Sequence, residues 1–304
     1  MQGTELLVGL KAVCGEDNCL WDIPMKEYTS MRVGGKADML IQPDSIDRVQ
    51  CCIAYLNVNK IPYMVIGNGS NLIFSDEGYH GVIVKIGPKL SKIDVKENFI
   101  LAEAGASLSA VASRALEYSL SGLEFASGIP GSTGGAAFMN AGAYDGEMKQ
   151  VIFETLNLDR NGQFITLKGE DHNFSYRHSR IQDEGFTCLR VIFRLQQGDH
   201  ESIKAKMNDL NSRRRDKQPL NMPSAGSVFK RPPGQFAGKL IEDCGLRGFS
   251  VGGAQVSEKH CGFIVNTGTA TSSDIICLIN HVQKTVYEKT GTLLESEVKI
   301  IGGT

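Results

Sequence analysis

The sequence predicts an α+β fold that is divided between two or three domains. Strand-like and helix-like segments alternate along the chain, and two consecutive strand-like segments beyond residue 150 are joined by Asn161-Gly162, a dipeptide typical of antiparallel hairpins. Such a hairpin argues against a doubly wound parallel sheet. The chain has 304 residues, which is more than one hydrophobic core usually serves.

The composition is that of a soluble globular protein. Hydrophobic residues make up 41%, charged residues 22%, and the formal net charge is -2. No excess of basic residues favours nucleic acid. No apolar run is long enough to span a bilayer, and charged residues interrupt the first twenty positions. We therefore expect a cytoplasmic protein that binds neither nucleic acid nor membrane.

The cysteines show neither CxxC pairs nor the Cys/His spacing of a zinc site, so we expect reduced thiols and no metal. Two of them are adjacent in a helix-like segment and should point to different sides of it. The eight cysteines lie at positions 14, 19, 51, 52, 188, 244, 261 and 277.

The first hundred residues are predicted to contain two helices and two strands. An amphipathic spacing predicts a packing helix over 4–15, ended by Gly15. A strand over 37–42 precedes a helix over 46–59, whose N-cap lies in the Asp44/Ser45 region. An apolar strand over 63–66 leads directly into a first glycine-rich loop.

That first loop, Gly67 to Asn71, lies between two strands. Successive main-chain N–H groups in such a loop form a concavity suited to an anion, and Ser70 and Asn71 add uncharged donors. The dinucleotide fingerprint GxGxxG is a poor match, because Leu72 replaces the third glycine and no clear helix follows. A polar hairpin turn explains the loop nearly as well when it is considered alone.

A second glycine-rich stretch, Leu123 to Tyr144, has five glycines and five alanines in 22 residues, with Glu124 as its one charge. So few bulky side chains indicate backbone lying against a flat or anionic ligand. For one such cluster, a small-residue turn between packed layers is the simpler interpretation. Two clusters together favour a nucleotide-like cofactor.

The other elements follow in order. A strand over 99–104 and a helix through 111–116 precede the second stretch, and strands over 151–159, 163–169 and 188–196 follow it. A helix over 200–217 begins a compositional zone where we expect a domain boundary. The last hundred residues are predicted to form helices near 236–245 and 274–289 and a closing strand over 293–301.

The two glycine-rich segments, followed by SYRHS, SAGSVFKRP and LESEVKIIG, resemble the UDP-N-acetylenolpyruvoylglucosamine reductase family from about Tyr28 onward. The resemblance implies the FAD-binding fold of the vanillyl-alcohol-oxidase type, with FAD-binding subdomains at 1–87 and 88–200 and a substrate-binding domain at 201–304. It also implies that FAD relays hydride from NADPH to UDP-N-acetylglucosamine enolpyruvate in peptidoglycan precursor synthesis. No histidine lies in either loop, so we expect FAD to be noncovalent.

The resemblance also identifies which residues should bind the cofactor. They lie in the two glycine-rich segments and are Gly67, Asn68, Gly69, Ser70, Asn71, Gly128, Ile129, Pro130, Gly131, Ser132, Gly134, Gly135, Ala136, Asn140, Gly142 and Ala143.

Three catalytic residues are implied by the same motifs. Ser227 matches the family's proton donor, which requires neighbouring positive charge because a serine hydroxyl is a weak acid. Arg177 matches the arginine that polarises the enolate through the substrate carboxylate. Glu297 matches a carboxylate that orients donors or acts as an acid. Considered singly, each residue would be an ordinary surface or turn residue.

Basic residues on both sides of Ser227 are candidates for the substrate diphosphate. We expect Lys217 and Lys230 to bind it, with Arg231 a further candidate, and Gln255 resembles a substrate-contacting glutamine of the family. A solvated helix face is the alternative interpretation of Arg213 to Arg215, because three adjacent residues cannot all face one ligand.

Two departures from the family pattern bear on the site. The short interval between Arg177 and residue 200 leaves no room for the tyrosine-bearing loop of one branch, so the chain resembles the branch that lacks it and its substrate cap is unassigned. In AYDGE, Asp145 is an additional residue beside the expected flavin. Two rival functions are a flavin oxidase or dehydrogenase acting on another substrate and a nucleotide-binding module without turnover. Whichever of these functions the protein has, we expect a monomer.

Overall fold

The computed structural model describes residues 2–302, and helices and strands alternate through them. The described helices are α1 (Gln2–Cys14), α2 (Ile46–Val58), α3 (Leu108–Glu117), α4 (Thr133–Met139), α5 (Arg180–Asp183), α6 (His200–Lys217), α7 (Ala237–Asp243) and α8 (Ser272–Thr290).

The strands are mostly short. They are β1 (Cys19–Pro24), β2 (Lys36–Ile41), β3 (Tyr63–Ile66), β4 (Leu72–Phe74), β5 (Tyr79–Lys85), β6 (Ile93–Lys96), β7 (Phe99–Glu103), β8 (Leu120–Ser121), β9 (Gly142–Ala143), β10 (Gly146–Glu147), β11 (Ile152–Leu158), β12 (Phe164–Lys168), β13 (Thr187–Arg194), β14 (Gln196–Gln197), β15 (Ser224–Ser227), β16 (Ser250–Val251), β17 (Ala254–Val256), β18 (Phe263–Asn266) and β19 (Lys299–Ile301).

The chain forms two compact units, each assembled from three segments. Unit 1 comprises the chain up to Trp21, residues 39–68 and residues 81–213; unit 2 comprises residues 22–38, residues 69–80 and the chain from Arg214 onward. The division passes between Asn68 and Gly69, within the first glycine-rich loop. The predicted three-domain division stays a prediction.

Unit 1 contains a five-stranded antiparallel sheet in the order β12-β11-β13-β7-β6. Its fully buried side chains include Leu56, Ile100 and Phe193, which belong to one continuous core. Strand β3 pairs in parallel with β5, from Tyr63 opposite Val82 to Ile66 opposite Lys85. The loop that follows β3 is therefore held at the carboxyl end of a paired strand.

Unit 2 is built around an antiparallel sheet in the order β15-β18-β17-β16. The long helix α8 contributes Leu278 and Val282 to a core separate from that of unit 1. Strands β4 and β19 pair in parallel, with Leu72 opposite Lys299.

Most predicted elements are confirmed, and one is wrong. Ser45 caps α2 by accepting a hydrogen bond from the Arg48 N–H at 3.2 Å, and β11 and β12 form the antiparallel hairpin around residues 159–163. The closing strand is shorter than predicted: it begins at Lys299, because the preceding segment pairs only through Ser296 opposite Phe229. The packing of the Leu6 and Leu7 side chains lies outside what the structure describes.

All eight cysteines carry free thiols, as expected. Cys51 is exposed and Cys52 is fully buried, so the adjacent pair does point to different sides of α2. Among the described residues, no helix combines the length and the apolar character that crossing a membrane requires.

Candidate functional site

The first glycine-rich loop meets the second within unit 1. A Cβ atom added to Gly67 would lie 2.2 Å from Ser132 Oγ, so only glycine allows the two segments to come this close. The Gly67 carbonyl accepts a hydrogen bond from Lys85 Nζ at 3.1 Å. Burial lowers the pKa of the Lys85 amine. A partly buried cation therefore stands beside the loop.

Packing within the protein explains the small residues of the second stretch. Ser132, only 1% exposed, caps α4 by accepting a hydrogen bond from the Gly135 N–H at 3.3 Å. A Cβ atom on Gly134 would lie 2.7 Å from the Ala104 Cβ atom. Gly134 therefore permits α4 to lie directly on the end of β7, which supports the close-packing interpretation for this glycine.

The main chain of both segments also presents donors that suit an anion. Within residues 2–302, the N–H groups of Asn68, Gly131 and Ser132 have no acceptor in hydrogen-bonding geometry. Main-chain N–H groups in such loops bind phosphate oxygens, and the Lys85 amine adds positive charge. The residues present in unit 1 therefore fit the diphosphate of FAD.

Arg177 lies in a tight turn of unit 1. Ser175 and His178 exchange main-chain hydrogen bonds of 3.1 and 3.2 Å, which places Tyr176 and Arg177 at the tip. Arg177 has a φ of 57°, at a turn position where glycine or asparagine is usual. Its guanidinium donates to the Gly142 carbonyl at 3.1 Å and stacks over the Tyr176 ring at 5.0 Å. The arginine is thus tied to the second glycine-rich stretch.

Asn140 ends α4 in the left-handed conformation and is fully buried. Its side chain bonds to Glu147, to the Ser175 carbonyl and to the main chain of Lys149. Both side-chain polar atoms therefore face protein, and the cofactor contact expected of Asn140 stays a prediction.

The segment AYDGE (residues 143–147), which departs from the family pattern, forms a two-residue hairpin turn between β9 and β10. Tyr144 and Asp145 have φ values of 50° and 65°, as a type I′ turn requires. Aspartate tolerates this conformation better than most side chains. Asp145 therefore supplies the second central residue of the turn.

Ser227 lies at the end of β15, which is irregular. Ser224 pairs with Val265 and Ser227 with Phe263, so β15 holds one residue more than its partner between the two pairs. Gly226 makes this bulge possible with a φ of 77°. The bulge leaves Ser227 exposed at the edge of unit 2.

Glu297 is held beside the same segment. Its N–H donates to the Val228 carbonyl at 2.7 Å, and its own carbonyl accepts from Asn71 Nδ2 at 3.0 Å. The half-buried Glu297 is thus fixed between the residue after Ser227 and the end of the first glycine-rich loop. Unit 2 therefore brings together Ser227, Glu297 and Asn71, whereas Arg177 belongs to unit 1.

The predicted phosphate-binding residues have different surroundings. Lys230 Nζ forms an ion pair with Glu295 at 3.1 Å, and Arg231 stacks over the Phe236 ring at 4.5 Å. Lys217 is exposed near the end of α6, where its charge acts on the imidazole of His260. Burial is the main cause of the lowered pKa of His260.

Gln255 lines a cavity of about 500 Å³ in unit 2. Sequence reasoning missed two basic residues of this cavity, Arg215 and Lys259, and treated the first as part of a solvated helix face. The three adjacent arginines do diverge: Arg213 pairs with Asp209, Arg214 is buried and Arg215 faces the cavity. The lining residues are Arg215, Gln218, Pro219, Leu220, Asn221, Met222, Gln255, Ser257, Glu258, Lys259 and Val265.

Two family models match the chain. Residues 37–168 match an FAD binding domain, and residues 218–301 match the C-terminal domain of UDP-N-acetylenolpyruvoylglucosamine reductase. Together with the mixed helix and strand content, these matches confirm the predicted α+β FAD-binding fold and its separate C-terminal domain.

Named relatives cover nearly the whole chain. It is 51% identical to the UDP-N-acetylenolpyruvoylglucosamine reductase of Caldanaerobacter subterraneus over 98% of this chain and 99% of the relative, and 48% identical to that of Clostridium novyi over 99% and 98%. The crystal structure of the Thermus caldophilus reductase matches with a TM-score of 0.80 and 33% identity, covering 92% of this chain and 98% of that one. The chain belongs to the UDP-N-acetylenolpyruvoylglucosamine reductase family.

Proposed function

We propose that the protein is an FAD-dependent oxidoreductase that uses NADPH to reduce UDP-N-acetylglucosamine enolpyruvate to UDP-N-acetylmuramate, a precursor of peptidoglycan. The identity to reductases over nearly the whole chain is the observation that carries this assignment. FAD, when bound, accepts hydride from NADPH and delivers it to the enolpyruvyl group.

The catalytic roles are assigned to three residues. Ser227 Oγ gives the proton that the substrate carbon requires after hydride addition. Its exposed position beyond the β15 bulge supports this role. Arg177 binds the substrate carboxylate and stabilises its developing charge, a task suited to a permanently charged planar donor. Glu297, fixed by main-chain bonds beside Val228, orients donors around the reacting carbon.

Binding roles follow from charge and burial. The N–H groups of Asn68 and Ser132, with the Lys85 amine, hold the FAD diphosphate. In unit 2, the cavity lined by Gln255, Arg215 and Lys259 receives the nucleotide end of the substrate. Its basic groups complement a diphosphate, and its volume lies in the range of small-molecule sites.

We further propose a cytoplasmic monomer that binds no nucleic acid. The near-neutral net charge of -2 supports the absence of nucleic-acid binding. Light scattering coupled to gel filtration, at several protein concentrations, measures the oligomeric state directly. A mass well above 33.0 kDa at micromolar concentration would replace the monomer by an oligomer.

The function is tested by anaerobic spectroscopy of the flavin-loaded protein. NADPH is expected to bleach the visible flavin bands, and UDP-N-acetylglucosamine enolpyruvate is expected to restore them. A flavin that bleaches but is not restored would indicate an oxidase or dehydrogenase with another substrate. A protein that binds UDP-sugar and cannot be loaded with FAD would instead be a nucleotide-binding module.

A further inference from the structure

We propose that Asn140 is a positioning residue that holds the Arg177 turn in its catalytic conformation. The proposal rests on the proposed function, because it assumes that Arg177 binds the substrate carboxylate. It assigns Asn140 an action through Arg177 instead of contact with the cofactor.

Three hydrogen bonds fix the Asn140 side chain. Its Nδ2 group donates to Glu147 Oε2 at 3.1 Å and to the Ser175 carbonyl at 3.0 Å, and its Oδ1 atom accepts from the Lys149 N–H at 2.9 Å. Both Nδ2 hydrogens are thereby used. Asn140 is 0% exposed, so the side chain is committed to bonds within unit 1.

These bonds connect the two segments that surround Arg177. Glu147 and Lys149 belong to β10 and the turn that follows it, and Ser175 is the first residue of the Arg177 turn. The guanidinium itself donates to the Gly142 carbonyl on the opposite strand of the same hairpin. Asn140 thus sets the spacing between the turn and the hairpin that anchors its arginine.

The other end of the turn is attached to the same helix. Ser179, which is fully buried, donates from Oγ to the Phe138 carbonyl at 2.7 Å, two residues before Asn140. The residues before and after the turn are therefore both bonded to the carboxyl end of α4.

A turn with this backbone needs such attachments. Arg177 has a φ of 57°, which is energetically unfavourable for a residue with a Cβ atom. Without external bonds the tip would relax to a more ordinary conformation and move the guanidinium. Strained residues of this kind persist where the surrounding structure restrains them, commonly at functional sites.

Asn140→Asp is the informative substitution. Aspartate tolerates the left-handed backbone of 42° and 54° and still accepts from Lys149, but it cannot donate to Ser175 and it places a second carboxylate beside Glu147. We expect flavin reduction by NADPH to stay within about twofold of wild type. Reoxidation by UDP-N-acetylglucosamine enolpyruvate should slow by at least roughly tenfold, and calorimetry should show weaker substrate binding to the oxidised protein.

A double variant and a control separate positioning from general destabilisation. In N140D/E147Q, the amide introduced at position 147 can donate to the carboxylate introduced at position 140, which removes the charge repulsion and should restore stability. The Ser175 carbonyl still lacks its donor in this variant, so reoxidation should stay slow; full recovery of the reoxidation rate would overturn the proposal. Asn173 matches Asn140 in backbone, with φ 46° and ψ 45°, but is exposed, and N173D should behave as wild type. If N140D does not fold, N140G keeps the left-handed backbone without the side chain and should show the same selective defect.

The possible outcomes distinguish a positioning role of Asn140 from a role in cofactor binding or folding. Equal slowing of both half-reactions, or loss of FAD, would make Asn140 a cofactor or folding residue and overturn the proposal. Unchanged reoxidation in N140D would overturn it as well. Wild-type protein that is never reoxidised by the enolpyruvyl substrate would refute the proposed function itself.

Discussion

Arg177 and Ser227, to which we assign catalytic roles, are both positioned by unusual backbone conformations, either their own or that of the preceding residue. Arg177 itself has positive φ, whereas Ser227 follows Gly226, whose positive φ creates the β15 bulge. In both cases the side chain gains a fixed position that a regular strand or turn would not give it.

At most positions an alanine variant is more stable than a glycine variant, and the positive φ of Arg177 predicts the opposite order there. Arg177→Gly and Arg177→Ala both remove the guanidinium, but only alanine retains a Cβ atom at φ 57°. We expect the glycine variant to be the more stable by about 1 kcal/mol in denaturant unfolding, and both variants to lose substrate reduction. At Arg114, in α3, the same pair should show the reverse order, since alanine favours a helix. Equal stability of the two Arg177 variants would mean that the turn is not strained.

Removing the Ser227 hydroxyl should affect one half of the reaction. We expect Ser227→Ala to keep FAD bound and reducible by NADPH while product formation slows by roughly 10²–10⁴-fold, the usual contribution of a general acid. Stopped-flow absorbance separates the two steps. Ser224→Ala, in the same strand, is the control and should retain full activity. Normal turnover by S227A would remove this serine from the mechanism.

At the scale of elements, the two glycine-rich segments serve different packing needs. Gly67 brings the loop after β3 against Ser132, and Gly134 brings α4 against β7. The sequence pattern suggested that a flat or anionic ligand lies against these glycines. In the structure, neighbouring protein segments occupy part of that position. The packing leaves the N–H groups of Asn68 and Ser132 without an acceptor among the described residues, and these are the groups that we propose to hold the FAD diphosphate.

The contact between these segments can be tested by a paired substitution. Gly67→Ala would place a methyl group 2.2 Å from Ser132 Oγ, so we expect FAD affinity to fall by at least roughly tenfold in a fluorescence titration. In G67A/S132A the nearest atom of that residue is Cβ at 3.4 Å, an ordinary contact. The double variant should therefore recover toward the level of S132A alone. Failure to recover would show that the methyl group obstructs the cofactor and not the neighbouring loop.

At the scale of the whole molecule, buried and hydrogen-bonded carboxylates make stability depend on pH. Burial alone would raise the pKa of Glu124, but bonds from Ser121 and Gly122 and the charge of Lys206 outweigh it and lower the pKa. A carboxyl group whose pKa is lower in the folded protein than in the unfolded chain stabilises the fold at pH values above its unfolded pKa, which is near 4. This stabilisation is lost as the pH falls through the folded pKa. Among the described residues, the carboxyl groups with lowered pKa include Asp76 and Glu124, the exposed, hydrogen-bonded Asp199 and Glu242, and the partly exposed, hydrogen-bonded Asp274.

Glu124→Gln should consequently destabilise the protein most at neutral pH. We expect a loss of about 1 kcal/mol at pH 7, because a charge-assisted bond network becomes neutral, and a narrowing difference from wild type below about pH 4. Urea unfolding between pH 3 and pH 7 measures this dependence. The exposed Glu77→Gln should show little change at any pH. A difference that is constant over the range would exclude ionisation of Glu124 as the cause.

Local sequence signals were sufficient to predict most helices, strands and turns. The remaining features depend on contacts between residues that are distant in the sequence. Ser45 and Asn161-Gly162 act on their immediate neighbours, so a cap and a hairpin were predictable. The conformation of Arg177 depends on bonds to α4, and the exposure of Arg215 to the cavity depends on packing of the last ninety residues. The strand expected before Lys299 fails because only Ser296 finds a partner there. The order of motifs identified the family, but contacts of this kind cannot be read from a motif.

The pairing of β4 with β19 has a consequence for synthesis on the ribosome. Leu72–Phe74 leave the exit tunnel early, but their partner Lys299–Ile301 is translated more than two hundred codons later. Unit 1 can fold once residue 213 has emerged from the ribosome. Ile73 and Phe74 are fully buried in the complete protein, but they remain exposed to solvent until their partner strand has been synthesised. Nascent chains stalled before codon 299 should therefore display an apolar segment that chaperones bind, although the second glycine-rich stretch, which lies within unit 1, is already folded.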